Sequence, residues 1–200
     1  MLNFAAMNIF KRILIWIQRM PHSRGFGVQS PSAYRFIRYV VSEHYPYYAY
    51  IDLKRKYPHI DWLTRKRMEF YFRLANFCQS DTFLNFACDD ATMRVLADYV
   101  WNGCRKTIVK PAKTPIHDDD CRLLRICPQD GCCDFLQVAL EKSNSKSVFV
   151  IEDIATNAMA KKMWQTLVES DKVSVSYDMY YLGVAFFDIE RFKANYIVNF

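Results

Sequence analysis

The run Ser147-Val148-Phe149-Val150-Ile151-Glu152-Asp153 limits the fold of this chain more than any other stretch. A short, unbroken apolar run closed by two carboxylates reads as a strand buried on both faces. It delivers its acids to the edge of an α/β sheet, and open α/β folds gather their ligands outside that edge. Thr82-Phe83-Leu84-Asn85-Phe86-Ala87-Cys88 is the first such strand along the chain. None of the five glycines (Gly25, Gly27, Gly103, Gly131 and Gly183) follows it, although a nucleotide site needs glycine there. The fold signal and the cofactor signal therefore disagree.

From Thr82 onward strand and helix alternate. Lys106 to Lys110 is a second strand cut off by Pro111, Leu123 to Cys127 a third, and Ser147 to Ile151 a fourth. Helical patterns fill Ala91 to Val100, the region of Phe135 to Leu140, and Asn157 to about Ser170. The end is all strand: Val173, Val175 and Tyr177 alternate, then Leu182 to Phe187 and Tyr196 to Phe200 follow. Strands separated by helices imply right-handed crossovers and a mostly parallel sheet, with an antiparallel C-terminal edge. The pattern predicts about six strands. The predicted core holds Phe83, Leu84, Phe86, Leu124, Ile126, Val148, Val150, Trp164 and Phe186.

The first eighty residues differ in kind. They carry 13 Lys/Arg against 4 Asp/Glu, whereas residues 81–200 carry 14 against 17. That shift, with the strand–helix alternation, predicts a basic, aromatic-rich helical arm over 1–80 and a mildly acidic α/β domain over 81–200. Ile9, Ile13, Trp16, Ile17 and Met20 recur at helical spacing. Ser30-Pro31 opens a second helix with Tyr34, Ile37 and Val41 on one side, and a third runs from about Asp61 to Cys78. Arg35, Arg38, Lys54, Arg55, Lys56, Arg65, Lys66 and Arg67 interleave with tyrosines, as single-stranded nucleic acid binding requires. Against this stands an arm whose rings pack on the sheet while its charges stay solvated. The N-terminal amphipathic helix also suits an anionic membrane surface, although docking on its own domain or a twin chain is simpler. Its longest apolar stretch, Ile13 to Ile17, is far short of a transmembrane span. The same stretch lacks a small-residue cleavage site behind a proper apolar region, which argues against a signal peptide, and an odd number of cysteines without regular spacing fits a reducing, cytoplasmic setting.

Two stretches resemble class I S-adenosylmethionine (SAM)-dependent methyltransferase-like proteins of Bacteroidetes-type bacteria. Arg24-Gly25-Phe26-Gly27-Val28-Gln29-Ser30-Pro31 is similar to that group's N-terminal HGxHSP element. Glu152-Asp153-Ile154, Met159, Trp164, Tyr177-Asp178-Met179 and Gly183-Val184-Ala185-Phe186-Phe187 are similar to its later strand-and-acid segment. The resemblance implies a Rossmann-like, methyltransferase-type sandwich with a truncated sheet over 81–200. The departures fall on the cofactor site: the glycine turn is replaced by Cys88-Asp89-Asp90-Ala91-Thr92, and the second strand ends in Lys110 where an acid holds the ribose. Cys127 takes an aspartate position, and one helix–strand–helix stretch is missing before it.

These losses imply a degenerate member without SAM binding or catalysis, acting on an unknown protein partner or by self-association. The alternatives are an active methyltransferase and a nucleic-acid-binding module. For an active enzyme, Glu152, Asp153 and Asp178 are the candidates to position substrate or metal. Otherwise Glu152 and Asp153 form a polar strand terminus, and Asp89 and Asp90 cap the next helix. His117 with Asp118, Asp119 and Asp120 reads as a solvated loop rather than a metal site. Cys121, Cys127, Cys132 and Cys133 read as buried free thiols.

Overall fold

In the computed structural model, which describes residues 9–112, 121–188, 190 and 192–200, the apolar runs join in one sheet. Its strands are β1 (Thr82–Phe86), β2 (Ile108–Pro111), β3 (Leu123–Ile126), β4 (Val148–Glu152), β5 (Val175–Asp178), β6 (Leu182–Phe186) and β7 (Ala194–Ile197). They lie in the order β2-β1-β3-β4-β6-β5-β7, seven strands where the sequence suggested about six. The first four are mutually parallel, β6 runs antiparallel to both β4 and β5, and β7 lies parallel to β5. The central strand β4 is buried along its whole length, as its apolar run requires. Pro111 is tolerated because β2 is an edge strand, where a missing N–H breaks no outer ladder.

Seven α-helices are described: α1 (Ile9–Gln18), α2 (Pro31–Phe36), α3 (Tyr48–Lys56), α4 (Trp62–Cys78), α5 (Asp90–Gly103), α6 (Cys132–Lys142) and α7 (Ala158–Glu169). Side chains fix several of their starts. Ser30 accepts from the Ala33 amide, Asp61 from Leu63 and Thr64, Asp89 from Thr92, and Asn157 from Met159 and Ala160. The helix opened by Ser30 is shorter than its sequence suggests. After Phe36 it widens into a π-turn over Ile37–Val41, closed by Ser42 N–H donating to Ile37 O at 2.8 Å. Ile37 and Val41 reach the core, whereas Tyr34 is left 43% exposed.

The sheet is covered on both faces. On one side Phe36, Tyr71 and Leu96 pack on Phe83, Leu123 and Val150, so the N-terminal helices and α5 form one outer layer. On the other, α6 and α7 bring Phe135, Leu136 and Trp164 onto Leu124, Phe149 and Ile151. The rings of Tyr47, Tyr50 and Tyr57 turn toward the first of these cores. Of the predicted core, only Phe86 is half-buried, and it stacks on Phe135 with ring centroids 4.1 Å apart. Among the described residues no helix is long and apolar enough to cross a membrane.

Helices α4 and α5 approach each other closely at Gly103. A Cβ built there would meet the Phe72 carbonyl oxygen at 2.1 Å, and backbone cannot yield as a side chain does. Gly103→Ala is therefore expected to cost about 1–3 kcal/mol or more. Urea denaturation of the two proteins checks this, and equal midpoints would show that the helices do not pack this tightly.

Candidate functional site

The chain leaves β1 for β2 on one side and then returns to β3 on the other, so the strand order reverses between β1 and β3. In open α/β sheets the crevice outside such a switch point is where ligands bind. Alternation along the strands puts Asn85, Arg125 and Glu152 on the same face as Phe83, Leu123 and Val150, beneath α4.

Arg125 occupies this place. It is 5% exposed, and its guanidinium is held on several sides. Nε donates to Glu152 Oε1 at 2.9 Å and lies 3.2 Å from the Tyr71 hydroxyl, while Nη1 donates to Asn85 Oδ1 at 2.8 Å. Tyr71 in turn donates to the same Glu152 oxygen at 2.5 Å. One helical turn away on α4, Arg67 closes the cluster, with Nη1 3.0 Å from Glu152 Oε2 and Nη2 2.6 Å from Asp153 Oδ1. Two cations and two carboxylates make the cluster neutral, which is the condition under which charges survive burial.

The protonation states follow from this geometry. Burial pushes the Glu152 carboxyl up, but Arg67, Arg125 and the Tyr71 hydroxyl outweigh it and hold the acid below its ordinary value. At Asp153 burial wins over Arg67, and the carboxyl is raised. Burial and the charge of Glu152 keep Tyr71 protonated, so it remains a donor.

Two thiols stand at the mouth. Cys88 follows β1 and Cys127 follows β3, and the Cys127 thiol donates to the Cys88 sulfur. The bond from Cys127 lowers the Cys88 thiol to about 6 against the opposing effect of burial, with Arg125 Nη1 at 3.6 Å and Asn85 contributing. Cys127 shifts the other way and keeps its proton. The residue between strand and thiol, Ala87, has φ +61°, a left-handed conformation that glycine adopts without cost.

The residues singled out from sequence are dispersed. Glu152 and Asp153 share Arg67, but Asp178 does not join them. It lies across β6 and so roughly 10 Å from Glu152, paired instead with Arg19, just past the end of α1, at 2.6 Å. Asp89 is committed to capping α5, Asp90 is exposed in its first turn, and Lys110 is exposed on the edge strand β2. His117 and Asp118 to Asp120 lie outside the described residues. Cys121 is buried and donates to Ala139 O, and Cys132 lies 3.0 Å from the Met159 sulfur. Among the described residues no group of three or more His, Cys, Asp or Glu is placed to hold a metal ion.

The charges of the front segment are not all solvated. Arg67 is buried in the cluster, and Arg73 is buried with Nε donating to Val40 O at 2.7 Å and Nη1 donating to the Tyr50 hydroxyl at 3.1 Å. Arg55 and Lys56 are exposed and pair with Asp52 and Asp98. Sequence reading missed Arg125, although its signal was plain: a charge inside Leu123-Leu124-Arg125-Ile126 must find a partner once the strand is buried.

No model of a known protein family matches the chain. A comparison with curated proteins likewise finds no relative.

Two outcomes follow from the cluster. Glu152, with a lowered folded pKa, stabilises the protein fully above its ordinary value of 4.5 and loses that contribution as pH falls through its folded value. Glu152→Gln leaves Arg67 and Arg125 underpaired and is expected to cost about 3–5 kcal/mol near neutral pH. The gap to the unsubstituted protein should narrow in acid, as urea denaturation at both pH values would show. An unchanged midpoint at neutral pH contradicts the cluster. Cys88 should be alkylated by iodoacetamide at a rate that rises through pH of about 6, while Cys78, pushed up to about 12 by burial, stays inert. Peptide mapping after a short pulse distinguishes them; equal labelling would refute the assignment.

Proposed function

We propose that this chain is a methyltransferase-like protein that has lost SAM binding and methyl transfer, and that it works by binding rather than catalysis. The observation that carries this reading is Arg125. Its guanidinium, tied to Glu152, Asn85 and Tyr71, fills the switch-point crevice on the face where the sheet would receive a cofactor.

The turn after β1 supports the same reading. A cofactor site of this kind needs bare backbone there, and here the thiol of Cys88 and the helix-capping carboxylate of Asp89 take the space. The left-handed φ of Ala87 fits a turn whose backbone shape has outlasted its glycine. The two acids at the end of β4 are engaged by Arg67 and Arg125, so their charge serves the protein interior.

Calorimetric titration of the full chain with SAM and with S-adenosylhomocysteine tests this. Neither compound is expected to give a saturable heat. Micromolar binding of either would overturn the proposal and restore an active methyltransferase as the better reading.

A further inference from the structure

A second concavity lies away from the switch point, where α1 packs against the start of α4 and the C-terminal end of the chain. It has a volume of about 150 Å³. Trp62, Tyr181 and Phe200 supply aromatic walls, and Arg12, Arg19 and Lys66 bring cations to it. Their commitments differ. Arg19 is fully engaged, with Asp178 Oδ1 at 2.6 Å and the carbonyls of Asp178 and Val198 at 3.2 and 3.1 Å. It is part of the wall.

Arg12 and Lys66 have no carboxylate within ion-pair distance among the described residues. The Arg12 guanidinium lies 4.1 Å over the Trp62 ring and reaches the Tyr181 hydroxyl. Lys66 Nζ sits 5.0 Å from the Trp62 centroid and 4.7 Å from that of Phe200. Burial, with Arg73 and Arg12 repelling it, lowers the Lys66 ammonium to about 8, and Glu69 opposes the shift only weakly. Ring faces attract cations but do not neutralise them. The cleft therefore has an unmet need for negative charge beside an apolar wall.

Size narrows the class further. A cavity of roughly 150 Å³ holds a single benzene ring, whereas drug-sized ligands occupy roughly 300–1,000 Å³. A nucleotide is too large, and an inorganic anion would leave the rings without a partner.

We propose that this cleft binds a small organic monoanion of one-ring size, its carboxylate held by Arg12 and Lys66 and its apolar body set among Trp62, Tyr181 and Phe200. The inference rests on this cleft alone, so the outcome with SAM does not bear on it.

Benzoate is the probe. Titrated into the full chain, it should change tryptophan fluorescence saturably, because Trp16 and Trp62 both line the cleft. Benzyl alcohol, which keeps the ring without the charge, and inorganic phosphate, which keeps charge without the ring, should each bind about tenfold more weakly or worse. Lys66→Met should reduce benzoate affinity by about tenfold, with an unchanged or higher melting temperature because a buried charge is removed. Lys66→Arg should retain binding, which separates lost charge from lost fold. The proposal is overturned if benzoate gives no saturable response, if benzyl alcohol binds as well as benzoate, or if folded Lys66→Met binds benzoate like the original protein.

Discussion

The ion pair between Arg125 and Glu152 is the constraint on which the rest of the structure depends. A guanidinium in the middle of β3 has no water to solvate it, and removing such an ion from water costs several kcal/mol. The acid that offsets this must come from the adjacent strand on the same face, and Glu152 at the end of β4 has that register and parity. One carboxylate then serves two cations, because Arg67 approaches its other oxygen from α4. The N-terminal helices are therefore tied to the sheet by charge as well as by the aromatic packing of Phe36, Tyr71 and Phe83.

At the carboxyl edge of the sheet between β1, β3 and β4, side chains meet one another. The cluster also extends sideways. Arg67 reaches toward the Tyr181 carbonyl, the Asp153 amide donates to the same carbonyl, and Tyr181 forms part of the aromatic cleft beside α1. Arg19, held by Asp178, lines the same cleft. The polar interior and the cleft thus share a wall at Tyr181, between α4 and the last strands.

Most of the strands and the helices from α4 onward were legible in the sequence because each has an unambiguous period, and a capping side chain marks three of the helix starts. Asp61, Asp89 and Asn157 mark their helix starts in both sequence and structure. The π-turn after α2 was not legible, since one extra residue per turn leaves no mark in composition. Asp178 was grouped with Glu152 and Asp153 because all three end strands. Its partner Arg19 is 159 residues away in sequence, and no local pattern connects them. Arg65, Lys66 and Arg67 were read either as part of a nucleic-acid surface or as solvated charges, and neither reading placed one of them in the core. On a helix, consecutive residues face different directions, and Arg67 turns inward with Tyr71.

The most direct measurement of the ion pair is a double-mutant cycle on Arg125→Met and Glu152→Leu, read by urea denaturation near neutral pH. Each single change leaves a buried charge underpaired and should cost about 3–5 kcal/mol. The double change replaces the pair by apolar groups and should cost less than the sum by at least about 1 kcal/mol. Small, additive single effects would contradict it, and would mean that this pair does not tie β3 to β4.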